Sequence, residues 1–259
     1  MFSERAFFSF VDVTDPKYLP VYHDWQLYDH LPENRALPGV AWGDRWTRLA
    51  DADSVERCTD GFSGVDSMTM YWFRAPYERS IAEWDRLAID SVHWGRGPAV
   101  PSVVRRFMGF FAPLKGYVAA RTLVSEDVLP YCPNRGVHVT LSRIADPLGA
   151  EAHELYRWYD REHLPELLDV PGVMGGWTFR LTQSKDPFWP EGGEPRVWAE
   201  GEVRARVLYL DEDPIETAAA IAEHEAQGGG SGPGSAEEVL FAAPLATVVP
   251  FAAVPRPAG

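Results

Sequence analysis

Residues Trp25 to Val40 read WQLYDHLPENRALPGV, and residues Trp158 to Val173 read WYDREHLPELLDVPGV. The two segments align without a gap, and 8 of 16 positions are identical. The shared skeleton is Trp, four residues, His-Leu-Pro-Glu, four residues, Pro-Gly-Val. It is carried by Trp25, His30, Leu31, Pro32, Glu33, Pro38, Gly39 and Val40 in the first copy. The second copy has Trp158, His163, Leu164, Pro165, Glu166, Pro171, Gly172 and Val173. A long-period internal repeat constrains architecture more tightly than any single predicted element.

The likeness extends outward. A strand-like run followed by Asp-Pro precedes each motif: Phe7 to Val13 before Asp15-Pro16, and Val137 to Ile144 before Asp146-Pro147. Asp supplies an N-cap and Pro fits a first helical turn, so a helix should start there in each copy. It should run to about Asp29 or Glu162 and end before Pro32 or Pro165, because the residue preceding proline disfavours helix. Pro38-Gly39 and Pro171-Gly172 are turn signals. Further strands are expected at Trp42 to Leu49 and Ser67 to Arg74, and at Gly176 to Gln183 and Val203 to Leu210. Helices should follow at Pro76 to Trp94, where Ile81, Trp84, Leu87, Ala88 and Val92 have helical spacing, and at Pro214 to Ala226. Final strands are expected at Ala112 to Ala120 and Pro244 to Val254. Each half therefore reads βαββαβ, the ferredoxin-like order. The halves meet near Tyr131 to Arg135, giving units 1–132 and 133–259. The run Gln227 to Ser235, QGGGSGPGS, lacks the Lys of a phosphate-binding loop and reads as a flexible loop. Asp51 to Asp66 and Lys185 to Glu200 are long loops in matching places.

The 259 residues are enough to bury a core without disulfide staples, and 46% apolar with 24% charged residues is an ordinary globular composition. A formal charge of −14 argues against nucleic acid or an anionic membrane as partner. No uncharged run approaches a membrane span, and Met1 to Asp12 carries no signal-peptide pattern. Two distant cysteines, Cys58 and Cys132, fit a reducing cytoplasm and no zinc pattern. Ten Trp, ten Tyr and thirteen Phe point to a large aromatic core or to a pocket for flat apolar ligands.

Tyr159-Asp-Arg-Glu-His163-Leu-Pro-Glu-Leu, followed by Pro171-Gly172-Val173, resembles the first-helix motif of dimeric α+β barrel proteins, most closely the EthD-like branch. The sharp motif covers about sixteen residues per half, and the element order covers nearly the whole chain. The resemblance implies an α+β fold in which two tandem ferredoxin-like halves form an intramolecular barrel, and it admits a homodimer of such fused chains. EthD-type motifs place an aromatic residue four before the His. Tyr159 keeps it and Gln26 does not, so the halves have diverged. The superfamily includes monooxygenases, isomerases, cyclases, dehydratases, haem enzymes and proteins without a known reaction, so it predicts fold better than chemistry.

In the strand Val137 to Ser142 the residues alternate. Val137, Val139 and Leu141 are expected toward the helices, and His138, Thr140 and Ser142 toward the barrel interior that the resemblance implies. His138 then reads as a general base, its pKa being near neutrality. Arg204 and Arg206 share a face and suit an anionic substrate oxygen, a pairing with Glu200 or Glu202, or an exposed strand end. His30 and His163 follow a helix end, where the dipole favours His without any ligand. Trp25 and Trp158 read first as core and second as a stacking surface. Tyr159 and His163, four apart, form the preferred acid–base pair. There is no Gly-x-Ser-x-Gly elbow, no His-Glu-x-x-His spacing and no Cys-x-x-Cys. The expected function is a cofactor-independent lyase or isomerase (an isomerase, cyclase, dehydratase or decarboxylase). Its substrate would be a small hydrophobic, aromatic or polyketide-like molecule. His138, His163, Tyr159 and His30 would be catalytic, and Arg206, Thr140, Trp158 and Trp25 would bind substrate. No cofactor or metal is expected. Two alternatives are a non-catalytic or stress-related small-molecule-binding barrel, and a haem enzyme with a histidine as axial ligand, against which the acidic charge weighs mildly.

Overall fold

The computed structural model describes residues 2–97, 102–185, 197–227 and 236–248. Residues 228–235 of the glycine-rich run, residues 186–196 of the second long loop and the end of the last expected strand lie outside them.

The strands are β1 (Ala6–Val13), β2 (Val40–Arg48), β3 (Arg57–Cys58), β4 (Ser67–Phe73), β5 (Val103–Val118), β6 (Gly136–Ile144), β7 (Val173–Ser184), β8 (Val203–Leu210) and β9 (Glu237–Thr247). Eight of them close in the order β2-β4-β1-β5-β7-β8-β6-β9, with β9 returning to β2, and the two-residue β3 adds to β9. Every pairing is antiparallel. The chain is thus an α+β protein built on a closed eight-stranded barrel, which leaves no long unpaired edge. Asp15, Pro76 and Asp213 open helical segments as their chemistry predicts. The Asp15 side chain accepts from the Lys17 amide, and Asp213 accepts from the Ile215 and Glu216 amides. The long helices are α3 (Tyr77–His93) and α6 (Pro214–Ala226).

The two sets of four strands have the same internal order, β5-β1-β4-β2 and β9-β6-β8-β7, and the same irregularities. The first strand of each set is bulged against the fourth, between Phe10 and Val11 and between Leu141 and Ser142. The second is bulged against the third, after Val40 and after Val173. Bulges re-aim side chains, so their recurrence gives both sets the same twist and outer face.

The last strand of each set starts earlier than the sequence suggests. β5 begins at Val103 because it serves two neighbours, pairing β1 through Val103–Phe111 and β7 through Gly109–Val118. β9 begins at Glu237, pairs β6 through Ala246, and meets β2 through Leu245–Thr247.

The barrel interior is filled. Phe8, Phe10, Met70, Trp72, Phe111, Val137, Val139, Leu141, Trp177, Phe179, Val207 and Tyr209 belong to one buried cluster. The outward faces carry separate clusters that meet the helices: Phe7, Tyr71, Phe73 and Phe110 around Trp84 of α3, and Leu208 and Leu210 around Ile221 of α6. The expected orientation of β6 is therefore reversed. Val137, Val139 and Leu141 fill the barrel, while His138, Thr140 and Ser142 face the helices. Alternation separates two faces, but apolar bulk decides which is enclosed on all sides.

At the β5–β7 seam Gly175 has φ +155°, and a Cβ there would lie 2.3 Å from the Tyr117 carbonyl oxygen. Gly175→Ala should lower the urea unfolding midpoint, costing on the order of 2–3 kcal/mol. Gly61→Ala, where a Cβ meets nothing within 4 Å, should leave it unchanged. Equal midpoints for the two variants would contradict this seam.

Candidate functional site: two unlike cavities between barrel and helices

The repeated motif does not end in a helix stop. In the first half, α1 (Leu19–Trp25) runs through a π-helical turn, Gln26–His30, into α2 (Leu31–Ala36). In the second, α4 (Ala150–Trp158) runs through Tyr159–His163 into α5 (Leu164–Leu167). The Leu31 amide donates to the Gln26 carbonyl and the Leu164 amide to the Tyr159 carbonyl, five residues back. Pro32 and Pro165 follow at once. Having no N–H, each would leave a carbonyl unpaired in a regular helix, and the wider turn absorbs the defect instead of ending the helix. Residues five apart point about 140° away from each other on an α-helix. Here they stack: Trp25 on His30 at 4.5 Å and 26°, Trp158 on His163 at 4.5 Å and 22°.

The first cavity, about 230 Å³, lies between the outer face of β1 and β4, the π-turn and α3. Its apolar walls are Phe7, Trp25, Tyr71, Trp84, Ile89 and Met108, and its polar groups include Gln26, His30, Thr69, Arg105 and Lys185. Gln26 Oε1, the Tyr71 hydroxyl and Trp84 Nε1 are buried without a hydrogen-bond partner. All three belong to residues that line this space. Each such group costs about 1–3 kcal/mol unless something fills its valence. Burial, with Arg105 adding to it, lowers the pKa of His30 to about 4, so the imidazole is neutral. Its Nδ1 faces the Asn34 amide at 3.3 Å, and among the described residues Nε2 has no hydrogen bond. Burial also raises the Tyr71 phenol and keeps it a donor. Opposite Thr69 on β2 stands Arg45, 1% exposed. Arg45 Nη1 lies 2.7 Å from His23 Nδ1, and its Nε and Nη2 have no partner. Burial and Arg45 together hold His23 down at about 3.

The second cavity, about 290 Å³, lies between β7, β8 and α4. Here the arginine has changed strands: Thr178 of β7 stands opposite Arg206 of β8, where the first half has Arg45 of β2 opposite Thr69 of β4. Arg206 Nη1 meets Glu237 Oε1 at 3.3 Å, its guanidinium lies 3.9 Å from the Tyr159 ring, and the Tyr159 hydroxyl donates to Glu237. Burial pushes the Glu237 carboxyl up, but Arg206, with Ser142 and Tyr159, outweighs it and holds the group below its ordinary value. Burial raises the Tyr159 phenol.

The structure brings together only part of the expected site. Trp25 and His30 line the first cavity, and Tyr159 and Arg206 line the second. His163, 4% exposed, lines neither. Its Nε2 meets Glu225 of α6 at 3.4 Å and its ring rests on Trp158. The rings of Tyr159 and His163 do meet edge-on at 5.3 Å, but their polar atoms go to different carboxylates, Glu237 and Glu225. His138 lines neither cavity, and burial lowers its pKa to about 4. Thr140 is buried opposite Arg206, and Trp158 packs with Ile144 and Leu155. Arg206 finds Glu237 rather than Glu200 or Glu202, which pair with Arg180 and Arg143. Arg45, Arg105 and Glu237 escaped sequence reasoning. Arg45 was legible in the alternation of β2, as a charge on the face shared by Gly43 and Thr47. Glu237 was not, because it follows the glycine-rich run, which hid the start of β9.

The sequence matches no protein-family model and no curated protein. Among solved structures, a candidate monooxygenase from Fusobacterium nucleatum is similar with TM-score 0.51 and 6% identity, covering 95% of this chain and 94% of that one. An anthrone oxidase-like protein is similar with TM-score 0.50 and 8% identity, covering 96% and 92%. A dye-decolorizing protein from V. cholerae reaches TM-score 0.45 at 10% identity, covering 95% and 94%. The first two are dimeric α+β barrel proteins, and at such identity their likeness shows the fold alone. Both carry oxidative names, which corrects the expected cofactor-free lyase or isomerase. The geometry agrees, since no two of the four proposed acid–base groups share a cavity as a working pair.

The neutral histidines have a consequence for stability. In the unfolded chain they titrate near 6.5; folded, His30 and His138 titrate near 4 and His23 near 3. Between these values the unfolded state binds more protons, so stability falls as pH drops from about 6.5 toward 4. Asp66, raised by burial to about 6, and Asp44, also raised by burial, oppose this, two groups against three. Equilibrium unfolding from pH 7 to 4.5 should show the decline, and His30→Asn should make it shallower. A pH profile for His30→Asn that superimposes on that of the parent would contradict the assignment.

Proposed function

We propose that the protein is an oxidative enzyme whose first cavity holds a planar, hydroxylated aromatic molecule. The observation that carries this reading is the set of three unpartnered polar atoms among aromatic walls. Tyr71 and Trp84 carry donors and Gln26 an acceptor within the wall, which a ring system bearing a carbonyl and a hydroxyl would engage once these side chains turn toward it. A space of about 230 Å³ suits two or three fused rings. The oxidative names of the fold neighbours support the reaction class. In the form proposed, a ring methylene flanked by aryl groups becomes a carbonyl. O2 supplies the new oxygen, one water leaves, and no other reductant is needed. The substrate first gives a proton to the neutral His30 imidazole, and that proton leaves in the water formed. The buried charge of Arg45 beneath Thr69, together with Arg105, favours the resulting anion through a fixed field in a low-dielectric site. Trp25 and Trp84 hold the ring and exclude water.

A second reading places haem at the mouth of the same cavity, because a space of about 230 Å³ holds only part of a macrocycle. His30 fits its requirement for a neutral imidazole with one nitrogen free, and Arg105 suits a carboxylate of the group. Bound there, haem would supply iron-centred oxidation. Trp25 would fix the His30 ring and Asn34 its Nδ1 side.

The chain is further read as an EthD-like tandem fusion, with ferredoxin-like halves at 1–132 and 133–259. The repeated π-turn, Trp–His stack and bulges support this.

Oxygen uptake with dithranol (1,8-dihydroxyanthrone) tests the function. Turnover should be lost in Ala88→Trp, which fills the cavity from α3, and should fall about tenfold in Tyr71→Phe. A Soret band on adding haemin, abolished by His30→Ala, would select the haem reading. Uptake without such a band would select direct oxidation. Neither uptake nor a band would overturn both.

A further inference from the structure

We infer that the second cavity is a separate binding site for a small organic monocarboxylate, with Arg204 as its anchor. The lining charges are Lys115, Arg204, Arg206, Asp160 and Glu237. Lys115 meets Asp160 at 3.8 Å, and Arg206 meets Glu237 at 3.3 Å. Asp160 and Glu237 are further engaged by the hydroxyls of Tyr117 and Tyr159. Two pairs are therefore closed, and Arg204 remains. Among the described residues it has no ion-pair partner, and its buried Nε has no hydrogen-bond partner. Its guanidinium lies 4.0 Å from the Tyr156 ring centroid. A partly buried cation without a counter-charge is costly, and in a chain of net charge −14 it is not there for general solubility. The cavity thus carries one uncompensated positive charge.

That charge belongs to the second half alone. The position equivalent to Arg204 in the strand register is Ser67: Val11 faces Ser67 where Ser142 faces Arg204. The duplication therefore produced two sites of different chemistry. The flanking walls, Leu114, Ile144, Leu155 and Tyr156, suit a ring or short chain. The terminal nitrogens of the Arg204 guanidinium would take the carboxylate as a planar fork, where guanidinium exceeds a point charge. Phosphate, with a second negative charge and no apolar part, would leave these walls unused.

Benzoate is the probe, with benzyl alcohol as its neutral counterpart and inorganic phosphate as the anion control. Calorimetry on the full chain should show benzoate binding that weakens at least tenfold with benzyl alcohol, and phosphate should not compete. Arg204→Met should lose benzoate binding at least tenfold, and Arg204→Lys should recover part of it. Both variants should keep the parent's unfolding midpoint within a few degrees and its dithranol oxidation. This site stands apart from the first cavity, so failed oxidation leaves it intact. Benzoate binding unchanged in Arg204→Met, or lost in Arg45→Met instead, would overturn the proposal. So would equal affinity for benzyl alcohol. If Arg204→Met fails to fold, a benzoate-induced shift of the Tyr156 ring resonances in the unmodified chain decides: a shift supports the site and no shift overturns it.

Discussion

Inside the barrel Phe8 meets Phe179 edge-on at 5.0 Å, and Trp72 meets Trp177 at 5.6 Å and Phe179 at 5.3 Å. These rings come from both copies of the repeat. Their meeting joins the two sets of strands, and buried side chains occupy the sheet's interior. Close packing of this kind disfavours a ligand there. Binding space must then lie on the outer face, under the helices, and both cavities are found there. The polar residues of β6 and β8 point outward for the same reason. They line or underlie the helix layer rather than a central pore.

The helix layer is shaped by one local defect used twice. A proline two residues after the motif histidine removes a backbone donor, and a π-turn accommodates it. The wider turn brings a tryptophan and a histidine into face-to-face contact. In the first half that stack forms one wall of an aromatic cavity. In the second half His163 turns to Glu225, and Tyr159, which replaces Gln26, turns to Arg206 and Glu237. One scaffold thus supports two cavities whose charged groups come from different strand positions. The exchange of Arg45–Thr69 for Thr178–Arg206 across paired strands is the clearest mark of this divergence.

Much of the architecture was legible because the repeat carries its own register. The skeleton from Trp25 to Val40 recurs at Trp158 to Val173, and strand, turn and cap chemistry fall into place around it. Three features were not legible, for physical reasons. Period-two alternation in Val137 to Ser142 does not reveal which face is enclosed, so the β6 faces were reversed. Pro32 and Pro165 stop an α-helix but not a π-turn, which lacks a clear signal in residue types. The starts of β5 and β9 were hidden because Arg105, Arg106, Glu237 and Glu238 do not look like strand residues until their partners across the sheet are known. The separation of the expected acid–base pair was likewise not legible. Tyr159 and His163 are neighbours as rings, but their polar atoms have separate carboxylate partners.

The central claim is that ligands occupy the helix-side cavities and that the first takes a planar hydroxylated ring. A crystal structure of the chain with alizarin bound tests this most directly. The account predicts the ring system between Trp25 and Trp84, with its oxygens within hydrogen-bond distance of the Tyr71 hydroxyl and Trp84 Nε1. Alizarin inside the barrel among Trp72, Trp177 and Phe179, or only on the outer protein surface, would contradict it.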